Sequence, residues 1–211
     1  EQEAARQELK SQEAEINKVI ADIQGQEQEA QAAIKKLEAA ASAMDAEIRK
    51  KEKELASQIA NVPSESGFLW PLNGYNTLTS LFGSRIHPIT GKANNHTGID
   101  IPAPAGTAIL ASKSGVVITS TRNRSYGNYV VVGHSDGTST LYAHMSSRSV
   151  SQGQTVKQGQ VVGRVGTTGS STGNHLHFEI RVNGSRVDPV NYFKSKTLYV
   201  QSRGRKVQLK H

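Results

Sequence analysis

The composition of the chain changes abruptly at Pro63. Residues 1–62 contain no aromatic residue, no proline and a single glycine, Gly25, whereas the rest of the chain is rich in Gly, Ser, Thr and Val. The first composition favours helix, and the second favours turns and strands. We therefore expect a helical part at residues 1–62, a linker at 63–67 and a strand-rich part that begins at Phe68.

Residues 1–62 are expected to form a long helix, because apolar residues recur at heptad spacing among Glu, Gln, Lys and Ala. A heptad pattern of this length predicts a coiled coil, and its apolar face needs a partner to bury it. The candidate partners are a second copy, another protein, or an upstream arm. The helix would then be a regulatory or docking arm, a dimerisation rod or a spacer. One apolar row consists of Leu9, Ile16, Ile23, Ala30, Leu37 and Met44.

The part after Phe68 has the pattern of a β protein. Short β-branched runs alternate with turn sequences such as Ser135-Asp136-Gly137 and Val182-Asn183-Gly184. This pattern predicts short antiparallel strands in a sheet folded on itself, either a sandwich or an open barrel. The tail at 194–211 is expected to be a basic anchor or an extra strand. The predicted strands are 108–111, 115–121, 129–133, 138–144, 161–165 and 175–181.

The charge changes at the same point as the composition, from a net −4 in residues 1–62 to a net +11 in the remainder. A basic domain suits an anionic partner such as a nucleic acid, a membrane surface or a polyanionic cell wall, although an unpartnered basic surface is the plain alternative. Nucleic acid is not expected, because no helix-turn-helix, zinc-finger spacing or aromatic RNA-binding signature is present. Since the chain has no cysteine, any metal must be bound through nitrogen and oxygen.

Four of the seven histidines lie in compact clusters. His96 and Asp100 form an i, i+4 pair that brackets a glycine. His175 and His177 stand two residues apart on a predicted strand, so both side chains point to one face. His144 closes another predicted strand. The remaining histidines are expected to be surface or hydrogen-bonded structural residues: His87, His134 and His211.

These clusters predict a zinc site. Zinc accepts imidazole nitrogen and carboxylate oxygen, and a catalytic zinc keeps three protein ligands and one open position. His96, Asp100 and one of the two strand histidines would provide the three ligands for one ion per chain. The surplus histidines would transfer protons or stabilise an oxyanion, because imidazole titrates near neutral pH.

The order and spacing of these residues resemble the lysostaphin-type (LytM-like) zinc endopeptidases, a family of peptidoglycan hydrolases. The similarity extends from Trp70 to Pro189, which is most of the strand-rich part and none of residues 1–62. Three motifs are shared, and so are several flanking glycines. The motifs are His96-Thr97-Gly98-Ile99-Asp100, Tyr142-Ala143-His144 and His175-Leu176-His177; the flanks are Phe82-Gly83-Ser84-Arg85, Gly127-Asn128-Tyr129 and Gly169-Ser170-Ser171-Thr172-Gly173.

The resemblance implies that His96, Asp100 and His177 bind zinc and that His144 and His175 are catalytic. It also implies a mainly antiparallel β peptidase domain at 68–193 with an open groove, here preceded by the coiled coil. Stem peptides or cross-links of peptidoglycan would be the substrates. An extracytoplasmic location follows (secreted, periplasmic or cell-wall associated), with the signal segment expected outside this sequence.

Two other functions compete with the enzyme. Some relatives with coiled-coil arms have lost ligands and act as non-catalytic activators of other cell-wall hydrolases, whereas this chain has all five site residues. A structural zinc module would need four protein ligands in a closed tetrahedron. The five residues therefore favour an active zinc endopeptidase.

Overall fold

A computed structural model of the protein describes residues 2–86, 93–202 and 204–209. The long helix is confirmed: helix α1 spans Gln2–Glu54, and a one-turn helix α2 follows at Ala56–Ala60. The sequence of α1 consists largely of Ala, Glu, Gln and Lys, which have high helix propensity. The coiled-coil partner stays a prediction. His87 and His211, expected to have no special role, lie outside the described residues.

The fold divides into two compact units, Glu1–Ala43 and Met44–His211. In the first unit, the large apolar side chains that the structure describes are exposed, including Leu9 and Ile16. In the second unit, Met44 and Ile48 are buried in an apolar cluster with residues of the sheet. The last turns of α1 therefore pack on the strand-rich part of the chain. The expected domain boundaries at 62, 68 and 193 stay predictions.

The strand-rich part contains fifteen short strands among the described residues, with a 3₁₀ turn at Pro189–Tyr192. The strands are β1 (Thr77–Leu78), β2 (Gly83–Ile86), β3 (Ala93–His96), β4 (Ile99–Pro102), β5 (Ala108–Leu110), β6 (Gly115–Asn123), β7 (Gly127–Gly133), β8 (Thr138–Met145), β9 (Ser147–Arg148), β10 (Thr155–Val156), β11 (Val161–Arg164), β12 (His175–Val182), β13 (Ser185–Val187), β14 (Tyr199–Ser202) and β15 (Arg205–Gln208).

The largest sheet has seven strands. Six lie in the order β10-β6-β7-β8-β12-β13, and β4 pairs with β12 on the same edge as β13, away from β8. All of these pairings are antiparallel, which confirms the expected fold class. Alternation along β8 sends Tyr142 into the main apolar core and Leu141 and Ala143 into the cluster that contains Met44 and Ile48. The sheet is thus covered on both faces.

All six predicted strands are confirmed, with ends that differ by one or two residues. The sequence did not predict β1, β2, β3, β4, β9, β10 or β13, because strands of two to four residues are too short to show a recognisable alternation. The tail forms a hairpin of β14 and β15, and β14 also pairs in parallel with β1. Of the two expectations for the tail, the described residues therefore form the extra strand.

Among the described residues, no helix combines the length and the apolar character needed to cross a lipid bilayer.

Candidate metal centre

All five predicted site residues come together, four of them on the main sheet and His96 on the neighbouring β2-β3 pair. His175 and His177 lie on β12, which runs between β4 and β8. In the register of these strands, His177 lies opposite Asp100 on one side and next to Ala143, the neighbour of His144, on the other. His96 lies at the end of β3. Antiparallel pairing around β12 therefore brings Asp100 and His144 to His177, and the short connection from β3 into β4 brings His96, which is 81 positions from His177 in sequence.

Three side-chain atoms form a compact triangle. His96 Nε2 lies 3.1 Å from His177 Nδ1 and 3.2 Å from Asp100 Oδ1. The third side, from His177 Nδ1 to Asp100 Oδ1, is 2.9 Å. All three residues are buried, and together they form a group that could hold a metal ion. Zinc bonds of about 2.0–2.1 Å in a tetrahedron place ligand atoms roughly 3.3 Å apart, so the triangle has the dimensions of a zinc site.

A hydrogen bond on the side away from the triangle fixes the orientation of the His96 and His177 rings. His96 Nδ1 lies 2.8 Å from the carbonyl oxygen of Leu81. A carbonyl only accepts, so Nδ1 carries the proton and Nε2 presents its lone pair to the triangle. His177 Nε2 lies 3.2 Å from Glu179 Oε1 and donates to that carboxylate, which leaves Nδ1 for the triangle. A carboxylate or carbonyl behind each histidine is the usual support of a metal-binding imidazole.

The electrostatics of the triangle favour a cation. Burial alone would raise the pKa of Asp100, but hydrogen bonds with His177 and His96 outweigh burial and hold the pKa far below its usual range. Burial would lower the pKa of His177, whereas hydrogen bonds with Asp100 and Glu179 raise it to about 9. The carboxylate is therefore ionised at neutral pH, and a metal ion competes with one proton for His177 Nδ1. Two nitrogens and one anionic oxygen fit zinc.

His144 and His175 lie beside the triangle with their rings 4.7 Å apart. His144 Nδ1 donates to the carbonyl of Thr168 at 2.8 Å, and His175 Nδ1 donates to the carbonyl of Gly173 at 2.8 Å. Each ring therefore keeps a free Nε2 lone pair. The Nε2 atom of His175 lies 3.7 Å from Asp100 Oδ1, so it faces the triangle.

Burial keeps both of these rings neutral. It is the largest cause that lowers the pKa of His144, to about 3, and the nearby His177 and His175 lower it further. Burial also lowers the pKa of His175. Neutral imidazole is the state in which Nε2 can accept a proton. The two histidines thus combine free acceptor nitrogens with a position at the edge of a candidate metal site.

The backbone of His144 is strained. Its φ is 59°, in the left-handed region that L-residues other than Gly rarely adopt, and His144 and Asn183 are the non-glycine residues with positive φ among those described. Such a conformation costs roughly 1–3 kcal/mol and persists where the surroundings impose it. Here the His144 amide donates to the carbonyl of Tyr126 at 2.8 Å, while its ring is held by Thr168.

Sequence reasoning gave no role to the buried polar residues behind His177. Glu179 is completely buried and contacts His177 Nε2, the Tyr126 hydroxyl and the Arg181 guanidinium. Strand alternation could have predicted that Glu179 is near His177, because Glu179 lies two residues after His177 on β12 and therefore on the same face of the sheet. A charged residue at such a position in a buried strand needs a partner.

Two further features lie outside the triangle. The basic loop at 122–125 borders an open cavity of about 490 Å³ lined by Arg122, Asn123, Arg124 and Gly169. The loop is joined to the segment that holds His144 through the Ser170 amide, which donates to Ser125 O at 2.8 Å. His134 is buried away from the triangle, where its ring bonds to Ser114 O and Thr140 Oγ1 as expected of a structural histidine.

Comparison with known proteins identifies the family. Residues 94–189 match the family model described as Peptidase family M23. The DD-carboxypeptidase/endopeptidase Mpg of Neisseria meningitidis is 50% identical over 117 residues, which are 56% of this chain and 27% of that protein. The chain thus spans about a quarter of the length of this curated relative.

Two solved structures are similar to the strand-rich part. A zinc-containing peptidase from Vibrio cholerae is 38% identical with a TM-score of 0.55, and the match covers 59% of this chain and 39% of that one. A variant of the catalytic domain of EnpA, a prophage-encoded M23 protein of Enterococcus faecalis, is 36% identical with a TM-score of 0.51. That match covers 58% of this chain and 95% of the EnpA domain. The chain therefore belongs to peptidase family M23.

Proposed function

We propose that the protein is a zinc-dependent endopeptidase that hydrolyses peptide bonds in the stem peptides or cross-links of bacterial peptidoglycan. The observation that supports this function most strongly is the pairing of two sets of groups. Three buried ligand atoms converge within 3.2 Å of one another, and two neutral imidazoles with free Nε2 atoms lie beside them. A structural zinc module would need a fourth protein ligand in the triangle, and none is found there among the described residues.

His96, Asp100 and His177 would hold one zinc ion per chain through Nε2, Oδ1 and Nδ1. When bound, zinc acts as a Lewis acid that acidifies water and polarises a carbonyl group. The ligand set has two neutral imidazoles and one carboxylate, so the site retains positive charge for this purpose. Protein ligands account for three positions, which leaves one open to the reactants.

His144 and His175 would handle the protons of the reaction. His144 Nε2 accepts a proton from the attacking water, because its Nδ1 is occupied by Thr168 O and its ring is neutral. The resulting imidazolium can return the proton to the leaving amine. His175, whose ring lies 4.7 Å away, has a second free Nε2 that can share this proton, and the imidazolium so formed donates a hydrogen bond toward the developing oxyanion. Together the two rings would serve both proton transfers of peptide hydrolysis.

The charge of the strand-rich part and its similarity to Mpg support a proposal for the substrate and the location. The strand-rich part has a net charge of +11, and its basic cavity at Arg122 and Arg124 lies next to the segment that holds His144. Peptidoglycan stem peptides have carboxylates that such a surface attracts. The relative Mpg is described as a DD-carboxypeptidase/endopeptidase. With a substrate of this kind, we expect the protein to work outside the cytoplasm and do not expect nucleic acid as a partner.

The second candidate is a non-catalytic activator of other cell-wall hydrolases. The observation in its favour is helix α1, whose exposed Leu9, Ile16 and Ile23 would suit a second copy or a membrane or division protein. The complete set of five site residues favours the enzyme. The two functions are also compatible, because α1 could recruit a partner while the sheet performs hydrolysis.

The variant His144→Ala tests this assignment. We expect cleavage of purified sacculi to fall by about 10²–10⁴-fold, the usual contribution of general acid–base catalysis, while bound zinc measured by mass spectrometry is unchanged. The matched control is His177→Ala, which should lose both zinc and cleavage. Full cleavage by His144→Ala would remove the role assigned to His144. Loss of zinc from that variant would place His144 among the ligands instead.

A further inference from the structure

We infer that helix α1 contributes to the metal centre: Asp45 is a positioning residue that holds the metal ligand His177 through Arg181, Arg186 and Glu179. This inference rests on the proposed zinc site. It gives the last turns of the helix a role at the metal centre rather than only a role as a spacer. The connection runs from α1 into β12 through hydrogen bonds and ion pairs.

Glu179 is the inner end of the network. Its side chain is fully buried, and its oxygen Oε1 accepts hydrogen bonds from His177 Nε2 and from the Tyr126 hydroxyl. Its other oxygen, Oε2, accepts from Arg181 Nη2 at 2.7 Å and Nε at 3.0 Å. Arg186 Nε adds a longer bond of 3.4 Å to the same oxygen. Glu179 therefore stands between a metal ligand and two guanidinium groups.

Asp45 is the outer end. Its Oδ1 lies 3.1 Å from Arg181 Nη1 and 2.7 Å from Arg186 Nη2, so one carboxylate oxygen bridges both guanidinium groups. The Arg181 side chain is only 2% exposed, and its Nε and Nη2 are used by Glu179. Because Asp45 and Glu179 bind opposite sides of the planar Arg181 guanidinium, that group is held in one position. Its two hydrogen bonds then hold the Glu179 carboxylate in place.

The network is balanced in charge. Two carboxylates, Asp45 and Glu179, face two guanidinium groups, Arg181 and Arg186, in a region largely removed from solvent. Removing the charge of Asp45 leaves a net positive charge next to the ligand of a divalent cation. It also lets both arginines compete more strongly for Glu179, which weakens the hydrogen bond that makes His177 a better ligand. Both effects lower metal affinity.

Apolar packing holds Asp45 in place. Met44 and Ile48, which lie on either side of Asp45 in sequence, share one face of α1 and are buried against the sheet with Ile118, Tyr126 and Leu141. Tyr126 connects this apolar cluster with the ion-pair network, because its ring packs in the cluster while its hydroxyl donates a hydrogen bond to Glu179. The contacts that pack the last turns of α1 on the sheet therefore include a residue that also binds Glu179, the support of His177.

The test is the zinc affinity of the full chain, measured by competition with a chromogenic chelator. The variant is Asp45→Asn, which keeps the shape of a side chain that is one-fifth exposed and removes its charge. Changes to groups that support a metal ligand weaken metal binding by about 10–100-fold, and we expect the lower end, about tenfold, since Asp45 acts through the arginines. The matched control is Asp22→Asn, which removes the same charge from an exposed position of the same helix.

A second readout separates positioning from general destabilisation. Co²⁺ replaces zinc at such sites and reports ligand geometry through its visible absorption, so Asp45→Asn should change the Co²⁺ spectrum while Asp22→Asn should not. Asp45→Glu, which restores the carboxylate, should return affinity and spectrum toward those of the wild type. Circular dichroism of the metal-free proteins checks that all three variants keep their helix.

The outcomes discriminate between the two proposals. If the wild type does not bind zinc tightly, the proposed metal site itself fails. If the wild type binds zinc and Asp45→Asn matches Asp22→Asn in both affinity and spectrum, the metal site stands and the role of Asp45 is overturned. The role is equally overturned if Asp45→Glu loses as much affinity as Asp45→Asn, because the effect would then not arise from the carboxylate.

Discussion

Replacing Gly98 with alanine should separate the two strands that hold the metal ligands. Gly98 lies two residues before Asp100, and a Cβ added to it would meet the carbonyl oxygen of Phe178 at 2.3 Å and Cγ of Glu179 at 3.0 Å. The first neighbour is backbone of β12, so no side-chain rotation can relieve the overlap. Ordinary contact begins at 3.4 Å. The strands must therefore move apart by about 1 Å, which a close-packed interior resists.

Overpacking of this kind costs about 1–3 kcal/mol, and a clash with backbone belongs at the upper end. Each kcal/mol lowers the midpoint of thermal unfolding by about 2–4 °C in a protein of this size, so Gly98→Ala should lower it by about 6–12 °C. The same movement pulls Asp100 away from His177, whose facing atoms are now 2.9 Å apart. Zinc affinity should therefore fall together with stability.

The assay is thermal unfolding of the metal-free protein, followed by zinc titration below the midpoint. Gly173→Ala is the matched control, because Gly173 is also close to the site but has no atom within 4 Å of its added Cβ and has no positive φ. Gly173→Ala should behave like the wild type. Equal midpoints and equal zinc affinities for the two alanine variants would refute the argument from strand spacing.

Two further predictions concern stability. Ile48 is 2% exposed, so Ile48→Ala leaves a cavity and should lower the free energy of unfolding, measured by chemical denaturation, by about 2–5 kcal/mol. Ile20→Ala, on the exposed part of α1, should change the free energy of unfolding by less than about 0.5 kcal/mol. Equal effects of the two substitutions would contradict the packing of the helix on the sheet. Burial lowers the pKa of His134 to about 4 from 6.5. Between these pH values His134 is protonated in the unfolded chain but not in the folded one, so the free energy of unfolding should fall as the pH drops from 6.5 to 4. Replacement by Gln should remove up to about 3 kcal/mol of that fall, and an unchanged pH profile would contradict it.

The site was more predictable from the sequence than the fold around it. The His-x-His parity on β12 placed two imidazoles on one face, and the structure shows both there, with His175 and His177 in the same site. Spacing alone did not decide which of them is a ligand, because both nitrogens fall within reach of Asp100. The distances favour His177 as the ligand: its Nδ1 lies 2.9 Å from Asp100 Oδ1 and 3.1 Å from His96 Nε2, whereas His175 Nε2 lies 3.7 Å from Asp100 Oδ1.

What the sequence did not predict are contacts between distant residues. The heptad pattern predicted helix α1 correctly, but it placed Met44 in one row with Leu9 and Ile16, although Met44 is buried and the other two are exposed. Periodicity describes one face of a helix and cannot say what covers each turn of it. The bridge from Asp45 to Arg186 spans 141 positions and has no local signal. Tertiary packing alone brings such residues together.

The most direct test of the central claim is the digestion of purified, cross-linked muropeptides with identification of the products by mass. The zinc-loaded protein should convert cross-linked dimers into monomers with the gain of one water per bond, and a chelator or His177→Ala should stop the reaction. Re-addition of zinc should restore cleavage by the wild type and not by the variant. Intact dimers after incubation with the zinc-loaded wild type, or cleavage that continues in His177→Ala, would contradict the account.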